Sequence, residues 1–351
     1  MNKKKRIPRL CCIGTVILAM ILTGCVRRQS PPAETKTEGG KLNVVTTLFP
    51  YYDFTRQIAG DHIELTMVVP AGMDSHSFEP TPADMITIQN ADVLICNGGA
   101  MEHWLERVLS AVESPHMVIM TGMDYVDTVQ EEIVEGMEEE THDHDHGHGH
   151  GDEPEPGHKD MYSHDLADDD GHGEEIEYDE HIWTSPVNAM KLVKGIEETL
   201  SAADPGSRAE YEANAESYLL KLKQLDQEFR DVIAHEKRNM IIVGDKFPYR
   251  YLADEYGLRY RAAFSGCSTD TEPSARTIAY LIDKMKSEQI PVIYYPELTS
   301  HRVAEIIAEE TGARPLLLHS CHNVTRREFD SGVTYLELME QNVTNLKKGL
   351  E

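Results

Sequence analysis

Positive charge is scarce in this chain. Only 33 of its 351 residues are Lys or Arg, against 61 Asp or Glu, for a formal charge of −28. Phosphate-backbone binding needs clustered Lys and Arg, so no nucleic-acid partner is expected. Adhesion to anionic lipid through a basic face is disfavoured for the same reason. Long hydrophobic runs are missing too: after residue 25 no segment has 18 apolar residues in succession, so none reads as a spanning helix. Hydrolase signatures are absent. Neither His-Glu-x-x-His nor Gly-x-Ser-x-Gly occurs, so an exported zinc hydrolase lacks its motif and the chain is read as not an enzyme. Cysteine is sparse, at six, and three of the six fall in the first 25 residues. Of the others, Cys96 closes the apolar run Val93-Leu94-Ile95 and reads as an inert buried thiol. Cys267 and Cys321 remain as an even pair. A disulfide between them, closing about 55 residues, would stabilise by roughly 4 kcal/mol in the chain-entropy model. The competing reading makes one of them a metal thiolate.

What is present begins with an export signal. Lys3, Lys4, Lys5, Arg6 and Arg9 form a positive start, followed by the mostly apolar stretch Leu10–Leu22. That stretch is too short to span comfortably and suits a signal peptide over residues 1–24. It ends in Leu22-Thr23-Gly24-Cys25, which resembles a bacterial lipobox, with Cys25 as the lipidated new N-terminus. Residues 25–40 are polar and read as a flexible tether. The expected location is the outer side of a bacterial cell membrane, reached through lipid on Cys25. Without residues 1–24 the charge falls to −33. The hydrophobic fraction of 40% excludes a wholly disordered chain, and the length suggests two domains.

From residue 41 short β-rich runs alternate with helical patterns, the rhythm of a parallel sheet covered by helices. Strands are expected at 42–47, 63–69, 92–96 and 117–120, with helices at 51–59, 82–90 and 101–112. A second set follows, with strands at 240–243, 259–263, 291–295 and 316–319, and helices at 249–256, 274–288, 302–311 and 333–350. The fold class is therefore α/β, with an N-terminal lobe over 41–203 and a C-terminal lobe over 238–351. A connecting helix over 204–237 links them. Its Tyr211, Ala215, Tyr218, Leu222, Leu225, Phe229 and Val232 recur at alternating steps of four and three, one sustained apolar face. This reads as a stiff brace across both lobes, and the chain as a monomer, rather than as a dimer seam.

Residues 131–180 differ in kind. They hold 21 acidic residues, one basic residue and eight histidines: His142, His144, His146, His148, His150, His158, His164 and His172. With few aliphatic residues, the segment cannot offset the entropy of ordering, so it is expected to be disordered. Imidazole and carboxylate together suit divalent metals such as zinc, with modest affinity per site. A surface zinc buffer or adhesin built around this insert is one reading of the chain.

Two single histidines sit at loops. His76 lies in Pro70-Ala71-Gly72-Met73-Asp74-Ser75-His76-Ser77-Phe78-Glu79-Pro80, just after a strand, where open α/β sheets place ligand loops. His181 lies in Glu180-His181-Ile182-Trp183-Thr184-Ser185-Pro186, where order should resume after the insert. These two motifs, the lipobox, the insert and Gly98-Gly99-Ala100-Met101-Glu102-His103-Trp104-Leu105 occur in an order that resembles the zinc- and manganese-binding lipoproteins of bacterial ABC importers, the ZnuA-like solute-binding proteins. The resemblance spans roughly residues 41–350. It implies two (β/α) lobes, one long rigid helix and a metal in the cleft between lobes, with His76 and His181 as N-lobe ligands. It also implies an ABC permease as partner.

The C-lobe departs from the family pattern. Where members carry a ligand His or Glu before the first C-lobe helix, this chain has Lys246, and a charged Lys has no lone pair to donate. Asp245 is one residue away, and Lys246 is a candidate to pair with Glu297. Where an Asp is usual, this chain reads Leu318-His319-Ser320-Cys321-His322-Asn323, which makes His319 and His322 the substitute ligands. A set rich in imidazole favours Zn2+, with Mn2+ as the alternative.

Overall fold

Two parallel four-stranded sheets carry the chain in a computed structural model that describes residues 40–112, 114–137, 178–266 and 272–351. The first sheet holds β1 (Leu42–Thr46), β2 (Ile63–Met67), β3 (Val93–Cys96) and β4 (Val118–Thr121), in the order β2-β1-β3-β4. The second holds β5 (Met240–Val243), β6 (Arg259–Ala262), β7 (Val292–Tyr295) and β8 (Arg314–Leu317), in the matching order β6-β5-β7-β8. All pairs are parallel, with Val44 opposite both Leu65 and Val93 in the first sheet. Parallel strands need crossovers, and helices supply them. These are α1 (Phe49–Ala59), α2 (Pro82–Gln89) and α3 (His103–Ala111) in the first lobe. In the second they are α6 (Arg250–Tyr256), α7 (Ala275–Glu288) and α8 (Arg302–Thr311). Helices on both faces explain why β3 and β5 are buried at every position. In β5 and β7 the alternation sorts side chains between two cores. Ile241, Val243 and Tyr294 join the main one, and Met240, Ile242 and Ile293 join a smaller one under α7 and α8.

Between the sheets run α4 (Pro186–Ala203) and the 27-residue α5 (Arg208–Ala234). All seven stripe residues of α5, from Tyr211 to Val232, are buried. The helix packs on α1 and α4 on one side and on α6 and α10 (Tyr335–Leu350) on the other. The apolar face is thus consumed within the chain, as a brace requires. The main core runs without a break from Val44 through α5 to Leu350. Asp53 on α1, wholly buried, accepts from the Tyr335 main-chain N–H of α10 at 2.7 Å, a further tie between the lobes. Both sheets lie in one unit, Gly39–Glu351.

Three expectations shift. The last strand lies at Arg314–Leu317, not 316–319, because the His319 N–H leaves the ladder to donate to Asn342 at 2.7 Å. β8 is an edge strand, so Pro315 is tolerated in it. Helix α4 was not foreseen, although Ser185 accepting from the Asn188 N–H and Pro186 in the first turn form an ordinary start. The short α9 (Arg326–Ser331) was likewise unforeseen and carries a Thr325–Glu328 capping box. Among the described residues no helix is long and apolar enough to cross a membrane. The leader, the tether and Cys25 lie outside the described residues, as do all eight histidines of the insert.

Candidate metal centre

Five loops meet above the carboxyl ends of the strands. The loop after β2 brings Asp74 and His76, and that after β5 brings Asp245 and Lys246. The loop after β7 brings Glu297, and that after β8 brings Ser320 and His322. His181 arrives on the segment that leads into α4. Together they line a cleft of about 340 Å³. The rings of His76, His181 and His322 stand 6.1, 6.2 and 6.4 Å apart, centre to centre, around a common point. Around a tetrahedral zinc, with Zn–N of about 2.0–2.1 Å, ring centres lie about 5 Å apart. The triad therefore converges but is wider than a ligated one, and among the described residues no three metal-binding side chains stand at holding distance.

Each histidine is set by its own loop. Asp74 caps a short turn by accepting the His76 N–H at 3.0 Å. Asp179 accepts both the main-chain N–H of His181, at 2.8 Å, and its Nδ1–H, at 3.2 Å. That leaves Nε2 of His181 as the free donor. The Tyr251 hydroxyl from the other lobe holds the Asp179 carbonyl at 2.7 Å. Nε2 of His322 accepts from the Ser75 N–H at 3.3 Å and lies 2.5 Å from Ser75 Oγ, so it is unprotonated. Asn323 Nδ2 donates across to the Pro70 and Met73 carbonyls at 2.9 and 2.8 Å, which pins the His322 loop to the His76 loop.

The electrostatics suit a cation. Burial, then His181 and His322, pushes His76 down to about 3. Burial also pushes His322 down to about 4. Both rings are neutral at physiological pH; the lone pair of His322 is on Nε2, where Ser75 holds it until a metal takes the place of that contact. Burial opposes charge on His181 as well, but Asp179 more than offsets it and holds His181 above the usual histidine value.

Two expected residues are placed differently. His319 does not line the cleft. It is 2% exposed, its Nδ1 accepts the Cys321 N–H at 2.9 Å, and its Nε2 has no hydrogen-bond partner among the described residues. Cys321 lies between the two histidines at φ 61, a left-handed turn that separates their directions. Cys321 is a fully buried thiol, and Cys267, its expected partner in a bridge, lies outside the described residues. Glu297 is not the partner of Lys246. Its two oxygens take the Ser320 N–H at 2.7 Å and hydroxyl at 2.6 Å. Sequence reading missed the buried pair Glu102 and Glu180, each pushed up to about 7, chiefly by burial. Glu180 accepts the Met101 N–H at 2.6 Å and backs onto Gly99, whose φ is 84. A Cβ at Gly99 would collide with the Glu180 carboxylate beside His181. Gly99→Ala is therefore expected to cost about 1–3 kcal/mol, read as a lowered melting temperature.

Residues 44–349 match the family model of the periplasmic zinc-uptake complex component A, ZnuA. The chain belongs to the ZnuA family. It is 33% identical over 339 residues to the high-affinity zinc uptake system protein ZnuA of Bacillus subtilis, covering 96% of this chain and 97% of that one. It is 31% identical over 332 residues to the zinc-binding lipoprotein AdcA of Streptococcus pneumoniae, covering 95% of this chain but only 59% of AdcA. The crystal structure of the Zn(II)-bound ZnuA-like domain of that AdcA superposes with a TM-score of 0.66 at 29% identity, covering 89% of this chain and 99% of the domain. Proteins of the ZnuA family are transport receptors and not enzymes.

Proposed function

We propose that the chain captures zinc outside the membrane in the cleft of His76, His181 and His322 and hands it to an ABC permease. The observation that carries this is the convergence of three imidazoles, two of them held neutral, on one cavity between two lobes. Asp245 and Asp74 line the same cavity and offer carboxylates for a fourth position. Three imidazoles suit zinc better than manganese, whose sites are richer in carboxylate. Family membership supports the permease as partner. The lipobox supports an anchor at Cys25, and the burial of the α5 stripe within the chain supports a monomer.

The histidine-rich insert acts as a tethered collector that raises zinc concentration near the cleft. The test is a zinc titration of the full chain against a chelator of known affinity. One tight zinc and several loose ones are expected. Deleting residues 138–177 should remove the loose sites, keep the tight one and slow uptake when zinc is scarce. Loss of the tight site on deletion would make the chain a surface buffer instead.

A further inference from the structure

We propose that Lys246 is a built-in competitor for the metal. Its ammonium sits in the cleft as a tethered cation that zinc must displace, and it lowers affinity so that the cargo can be released. This rests on the reading of the cleft as the zinc site. Lys246 lines the same cavity as the three histidines. Its charge is felt by Asp74 and His76 of one lobe and by His322 and Asp245 of the other, all of which line that cavity with it. Among the described residues its ammonium is held in no ion pair.

The carboxylates around it are partly engaged by other donors. Asp74 Oδ1 accepts the His76 N–H at 3.0 Å, Asp245 Oδ1 accepts the Lys246 N–H at 2.8 Å, and both oxygens of Glu297 are taken by Ser320. An ammonium has donors but no lone pair, so it can stand in for a cation but cannot ligate one. It is half-buried on a flexible four-carbon stem, so it can swing out when the metal enters.

Charge makes the consequence concrete. Asp74, Asp245 and Glu297 bring three negative charges to the cavity wall and Lys246 returns one positive. Without Lys246 the wall would hold a divalent ion against a larger negative charge. A unit charge within one cavity width of the metal, at an intermediate dielectric, is worth at least about tenfold in affinity.

The test uses the full-length chain loaded with one equivalent of zinc. Release is followed by stopped flow into excess EDTA, and affinity by chelator competition. Wild type, K246M, K246Q, K246R and H76A are compared. Both neutral variants are expected to bind at least about tenfold tighter, mainly through slower release, while K246R stays near wild type. Release from K246M and K246Q at the wild-type rate or faster overturns the proposal. Zinc held by H76A as tightly as by wild type overturns the cleft reading itself, and this inference with it.

Discussion

Replacing His181 with alanine is expected to weaken zinc binding at least about 100-fold, more than any second-layer change around the cleft. His181 is 3% exposed, and its ring is fixed at both ends of its loop. Asp179 takes the main-chain N–H at 2.8 Å and Nδ1–H at 3.2 Å, while the next turn begins with the Thr184 hydroxyl donating to the His181 carbonyl at 2.7 Å. The lone pair on Nε2 is thus aimed before the metal arrives, and little ordering entropy is left to lose on binding. Removing the ring deletes one of three donors and leaves a gap that the two remaining rings, 6.1 Å apart, do not close. Asp179→Asn keeps the ring but weakens its orientation, and should cost about 10-fold. Competition titration with a chelator of known affinity reads both. An affinity for H181A within threefold of wild type would remove His181 from the site.

The second large effect is on pH. Zinc binds neutral imidazole, so acid competes only at rings that carry a proton. His76, at about 3, and His322, at about 4, are already bare at pH 5. His181, raised by Asp179, is not. Between pH 6 and pH 5 the tight site should therefore lose about one proton's worth of affinity, roughly tenfold per pH unit. An unperturbed imidazole titrates near pH 6.5, so zinc held loosely by such side chains should be lost first and more steeply. Calorimetry in buffers of different ionisation enthalpy counts the protons released. Three protons per tight zinc at pH 5.5 would refute the neutral pair.

The same shifts bear on folding. Two histidines held below their unfolded value of about 6.5 contribute stability that is present above pH 6.5 and is lost as pH falls towards 4 and then 3. His181 works in the opposite sense: its contribution is present below about 6.5 and is lost as pH rises through its raised value.

Much of this was legible along the chain because the signals are local. The α5 stripe, spaced by four and three, could be buried on only one face, and all seven of its residues are. The strands showed through their apolar runs, and the parallel order followed from the helices between them. His76 and His181 could be singled out because each sits in a motif at a predictable point, one at a strand end and one at the insert's edge. The unequal distribution of acid was also plain, since residues 131–180 hold −20 of the −33 left after the leader.

Only the tertiary structure chose between His319 and His322. They are three residues apart in a loop, where no fixed period assigns a side chain to a face. A left-handed Cys321 sends His322 into the cleft, while His319 is turned towards Asn342 and the Cys321 N–H. Tertiary structure also decided that Glu297 serves Ser320 and that Lys246 has no ion pair among the described residues, a matter of which loops meet, across 23 residues for one contact and 51 for the other separation. Sequence by itself determined the two lobes, the brace, the acidic insert and the two N-lobe histidines, because period, composition and local motifs are properties of short segments. The third imidazole, the placing of Lys246 and the neutral state of two rings were decided by packing, because burial and the approach of distant loops exist only in the folded chain.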